Sequence, residues 1–78
     1  MPTVLRIGPY RFYFYSHEPN EPPHIHIDRE SYSAKFWLKR VSLASNIGFS
    51  EKELNKLHDL VNDYQKELLD KWHGHFGA

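Results

Sequence analysis

Two consecutive prolines, Pro22 and Pro23, run directly into His24-Ile25-His26-Ile27-Asp28. Proline locks φ and has no N–H to donate, so a strand here begins no earlier than about His24. From His24 the period is two. His24, His26 and Asp28 point one way, Ile25 and Ile27 the other. One side of this strand suits a core, and the other sets two imidazoles beside a carboxylate.

The strands around it follow from the same period. Thr3 to Ile7 alternates, and Gly8-Pro9 separates it from Tyr10-Arg11-Phe12-Tyr13-Phe14-Tyr15. Gly8 suits the positive φ of a type II′ corner and Pro9 the negative φ that follows, so a hairpin is expected. A polar, proline-containing loop from Ser16 to Pro23 leads into the histidine strand, and Arg29 to Tyr32 makes a turn. A fourth strand is expected over Ser33 to Arg40, with Ala34, Phe36 and Leu38 on its apolar face. Val41 to Phe49 reads equally as a short helix or an irregular crossing.

Ser50 and Glu53 form an S-x-x-E capping box, with Phe49 and Leu54 placed as a hydrophobic staple. Leu54, Leu57, Val61, Tyr64, Leu68 and Trp72 then recur every three or four residues, the mark of one continuous amphipathic helix. Gly74 is its expected stop. The fold class is therefore α+β: an antiparallel sheet of about four strands with one long C-terminal helix packed on one face, in a single domain, 1–78.

Composition narrows the function. At 78 residues with no cysteine, the chain has neither disulfides nor thiolate metal sites, which fits a reducing cytoplasm. No apolar run approaches a membrane span, and no membrane partner is expected. The formal net charge is zero, which argues against a generally basic nucleic-acid binder.

Sheet parity turns Arg6, Arg11, Tyr13, Tyr15, His24, His26, Asp28, Lys35, Trp37 and Lys39 away from the helix. A large aromatic and cationic face left in water favours a partner. Arg11, Tyr13, Tyr15, Lys35 and Trp37 are the partner-binding candidates, for a protein, a second copy of the chain, or RNA stacked on the rings. His24 and His26 are the catalytic candidates, since two imidazoles with nearby cations suffice for metal-free RNA cleavage. Their Cα atoms lie roughly 6.5 Å apart on a strand, so with His17 they also form a candidate site for zinc or another divalent metal. No resident cofactor is otherwise expected. The third position of a histidine triad is Asp28, and the second motif of a cupin is missing.

The blocks Met-Pro-Thr-Val-Leu-Arg-Ile-Gly, Tyr-Arg-Phe-Tyr-Phe-Tyr-Ser-His-Glu, Glu-Pro-Pro-His-Ile-His-Ile, Ser-Ala-Lys-Phe-Trp-Leu and Gly-Phe-Ser together resemble the small bacterial domain-of-unknown-function family numbered 4160. The motif falls on Tyr13, Ser16, His17, Glu18, Glu21, Pro22, Pro23, His24, His26, Ala34, Lys35 and Trp37. The resemblance implies a bacterial cytoplasmic protein, often encoded beside a second small protein of unknown function (family 2442). That arrangement resembles toxin–antitoxin modules. The expectation is an interaction protein that binds the neighbouring gene's product or itself. The alternative is a small ribonuclease or metal-dependent hydrolase built on the His-x-His strand.

Overall fold

The computed structural model describes residues 3–15 and 20–76. Five antiparallel strands follow one another as a meander: β1 (Thr3–Ile7), β2 (Tyr10–Tyr13), β3 (His24–Arg29), β4 (Tyr32–Trp37) and β5 (Ser42–Ile47). Two helices complete the fold, α1 (Glu51–Asp63) and α2 (Gln65–Phe76). The α+β class is as expected, but the sheet has five strands rather than four, and the helix is divided.

The alternating sequence sets the register. Phe12 lies opposite Leu5 and Ile27, and Ile27 opposite Ala34; Ile25 pairs with Phe36, and Phe36 with Leu43. This apolar side meets Leu57 and Val61 of α1 and Leu68 and Trp72 of α2 in one core. Gly8 takes the positive φ its hairpin needs, at 55°.

The fifth strand occupies the ambiguous Val41 to Phe49 segment. Lys35 pairs with Ser45, but Phe36 pairs with Leu43, so Ala44 is an extra residue in β5. Such a bulge shifts the period by one residue and hides the strand from a search for alternation. The fourth strand ends at Trp37, earlier than Arg40, and Lys39 therefore sits in the β4–β5 turn rather than on the sheet.

At the helix start, Ser50 accepts a hydrogen bond from the Glu53 backbone N–H at 3.2 Å, the capping interaction expected. The helical path is interrupted at Tyr64, whose φ and ψ are −104° and 11°. Bonding of the i to i+4 kind resumes at once, from the Leu68 N–H to the Tyr64 carbonyl at 2.9 Å. The apolar stripe therefore runs through the break unchanged. Here Gln65 turns back and donates to the carbonyls of Leu38 and Lys39, at 2.7 and 3.0 Å. That contact ties the helix junction to the β4–β5 turn. Gly74 does not stop α2, which continues to Phe76. No helix is long and apolar enough to cross a membrane among the described residues.

Candidate functional site

The face of the sheet opposite the helices carries the residues expected there. Arg11 pairs with Asp28, Tyr13 with His26, His26 with Lys35, and His24 with Trp37. Cross-strand neighbours on one face stand close enough for their side chains to interact, so the register alone assembles the cluster.

The face divides into an interior and a rim. His24 is 0% exposed, Tyr13 2% and His26 9%. His24 lies at the start of β3, where the Trp72 indole reaches from Phe14 (ring centroids 5.2 Å apart) to the His24 ring (4.8 Å). Its ring also meets His26 edge-on at 5.1 Å and Trp37 at 5.8 Å. His24 Nδ1 lies 2.8 Å from the Pro22 carbonyl oxygen and donates a hydrogen bond to it. The proline that delays the strand thus also orients the imidazole.

Tyr13 stacks on His26 at 5.3 Å, and its hydroxyl donates to Asp28 Oδ1 at 2.9 Å. Burial pushes the Tyr13 phenol well above its usual range, and hydrogen bonding to Tyr15 and Asp28 pushes it further. The phenol therefore stays protonated and serves as a donor.

The rim is cationic and aromatic. Tyr15, 39% exposed, stands edge-on to His26 at 4.5 Å and to Tyr13 at 5.5 Å. The Arg11 guanidinium lies 4.5 Å above the Tyr13 ring, and its Nε donates to the Thr3 hydroxyl at 3.0 Å. The Lys35 ammonium sits 4.8 Å from the centre of the Trp37 ring and is paired with Glu21. On the same face, opposite Ser33, Ile47 projects from β5 at 69% exposure.

All five partner-binding candidates thus gather on one face, but Tyr13 is an internal support with little surface of its own. His24 and His26, the catalytic candidates, are neighbours in its interior. His17, the third metal candidate, lies outside the described residues. Among the described residues, no three His, Asp or Glu side chains form a group suited to a metal ion. Three features escaped the sequence: the Lys35–Glu21 pair, the packing of Trp72 on His24, and the exposed Ile47. A lysine that faces the loop before the histidine strand signals the first. The other two depend on the helix approach and on the β5 bulge, which the pattern of residues does not disclose.

A larger depression of about 600 Å³ lies at the helix junction, lined by Asp63, Tyr64, Lys66, Glu67, Asp70 and Lys71. It mixes opposite charges at helical spacings and lies apart from the histidines.

Residues 10–73 match the model of the family described as Domain of unknown function (DUF4160), and the chain belongs to that family. No curated protein and no solved structure matches the chain.

Proposed function

We propose that this DUF4160 protein is a small interaction module whose aromatic and cationic sheet rim binds a partner protein. The neighbouring gene's product is the proposed partner, in a two-gene arrangement of the toxin–antitoxin kind and in a bacterial cytoplasm. One observation carries the reading: Arg11, Tyr15, Lys35 and Trp37 are held in place by contacts within their own sheet, yet retain surface at the rim. Side chains fixed beforehand lose little entropy on binding, and Arg, Tyr and Trp are the types that dominate binding energy at interfaces. The burial of His24 favours this reading over catalysis, because a substrate needs access to a working imidazole.

The second reading, a ribonuclease or metal-dependent hydrolase using His24 and His26, draws on His26 lying against Tyr13 while Tyr13 bonds Asp28. Co-expression with the neighbouring gene and light scattering on the purified product separate the two. The expected result is a stable complex, weakened tenfold or more by Arg11→Ala with Tyr15→Ala. A chain that stays monomeric alone and beside that product overturns the interaction reading. RNA cleavage abolished by His26→Ala, with folding intact, establishes the enzyme instead.

A further inference from the structure

At the end of the sheet where β4 turns into β5, a groove of about 360 Å³ is lined by Pro22, Pro23, Trp37, Lys39, Arg40 and Ser42. Its floor follows from register: His24 pairs with Trp37, and Trp37 with Ser42. Trp37 therefore lies between the strand that Pro22 and Pro23 lead into and the first residue of β5. Lys39 and Arg40 stand side by side in the turn beyond it.

Three properties of this groove point to one ligand chemistry. Its size falls in the range of small-molecule sites, roughly 300–1,000 Å³. Its apolar lining is an indole and two prolines, flat surfaces suited to a planar ring. Its charge is of one sign, because Lys39 and Arg40 line it and no Asp or Glu does. The nearby Glu21 carboxylate is taken up by Lys35. Among the described residues, neither Lys39 nor Arg40 forms an ion pair.

The turn that carries the two cations is also fixed. Gln65 binds the carbonyls of Leu38 and Lys39, the His58 ring meets the Val41 carbonyl at 3.1 Å, and the Ser42 hydroxyl donates to the Arg40 carbonyl at 3.1 Å. Two adjacent cations on a braced turn, one of them a planar guanidinium fork, match the several oxygens of a phosphate better than a single carboxylate.

We propose that this groove binds a nucleoside phosphate, with the base laid against Trp37 and the phosphate held by Lys39 and Arg40. The ligand is either a free nucleotide or one unit of a single-stranded nucleic acid. Trp37 is shared with the rim proposed for the partner protein, but Lys39 and Arg40 lie outside it, so replacing the two cations tests the groove apart from that rim.

The test uses the full chain alone, with no partner protein. Adenosine monophosphate and a ten-residue oligoadenylate are titrated separately while tryptophan fluorescence is followed. Saturable quenching is expected, weakened tenfold or more in Lys39→Ala with Arg40→Ala. Both cations are exposed turn residues, so the double variant should keep its fold. Equal affinity for the two probes assigns the groove to a free nucleotide. Tighter binding of the oligoadenylate assigns it to a strand, with a log–log salt slope of about −0.7 for the one phosphate that the two cations neutralise. No quenching by either probe overturns the proposal. So does quenching unchanged in the double variant, or equal competition by a polyglutamate peptide, which would mark the groove as a site for acidic protein.

Discussion

The Arg29 guanidinium grips the Glu53 carboxylate through two hydrogen bonds, Nε to Oε2 at 2.6 Å and Nη2 to Oε1 at 2.8 Å. Tyr10 adds a third donor to the same carboxylate at 2.8 Å. Glu53 is the last residue of the S-x-x-E box, but its carboxylate looks toward the sheet. The box therefore does two jobs. Its backbone N–H is capped by Ser50, and its side chain joins the ends of β2 and β3 to the first turn of α1.

Acid sensitivity follows from that clamp. The Arg29 bonds, and after them the Tyr10 bond, hold the Glu53 carboxyl below its usual range. A group with a depressed folded pKa contributes stability that is complete above the unfolded value, about 4.3 for Glu. That contribution disappears as pH falls through the lower folded value. Melting temperature measured from pH 7 to pH 2.5 should thus fall more steeply below about pH 4.3 in the wild type than in Glu53→Gln. Parallel curves for the two proteins would show that the clamp does not couple protonation to folding.

The alkaline side has its own marker in Tyr13. Its phenol is raised by burial and by the bonds to Tyr15 and Asp28. The folded form therefore holds this proton more tightly than the unfolded chain does. The associated stability is complete below the unfolded value of about 10 and declines as pH rises beyond it. Tyr13→Phe should cost about 1–2 kcal/mol at neutral pH through the lost hydrogen bond to a carboxylate. It should also flatten the loss of stability between about pH 10 and 12. An unchanged melting temperature at pH 7 would mean that Asp28 finds water as good a partner as Tyr13.

Gly48 joins β5 to the Ser50 cap with a φ of 94°, a value glycine alone adopts readily. A Cβ there would also collide with the Tyr32 ring. Gly48→Ala should destabilise the protein by about 1–2 kcal/mol, and Tyr32→Ala in the same chain should recover only the steric part. Chemical denaturation of the single and double variants measures both portions. A Gly48→Ala protein as stable as the wild type would show that this turn has other conformations open to it.

Most of the sheet was legible because its code is local. Ile25, Ile27, Phe12, Phe36 and Ala34 alternate strictly, and one inward side chain fixes the direction of the next. The parity that gathered Arg11, Tyr13, His26, Lys35 and Trp37 on one face came from the same rule. It broke where a single residue disturbed the count. Ala44 adds one residue to β5, and Tyr64 interrupts the helix without any proline or glycine to announce it. Burial within the polar face was not legible at all. Parity places His24 on a side of the sheet, but only the helix approach brings Trp72 onto its ring.

That packing sets the expected behaviour of the histidines. His24 is enclosed by Trp37, Trp72 and His26 and bonded to the Pro22 carbonyl, so His24→Ala removes ring contacts and strands an acceptor. The expected cost is about 2–3 kcal/mol, read by denaturant titration. His26→Ala should cost less, because His26 retains some exposure. Zinc titration of both variants, with His73→Ala and His75→Ala as references, separates a packing role from metal binding. Both reference histidines are exposed on the last turns of α2. A packing role predicts the same zinc uptake in all four variants and the wild type, with a stability loss concentrated in His24→Ala. A metal site on β3 predicts the reverse: one equivalent of zinc lost from His24→Ala and His26→Ala, and retained when His73 or His75 is replaced. Because a ligand must shed its proton before it binds, that zinc would also leave as the solution is acidified.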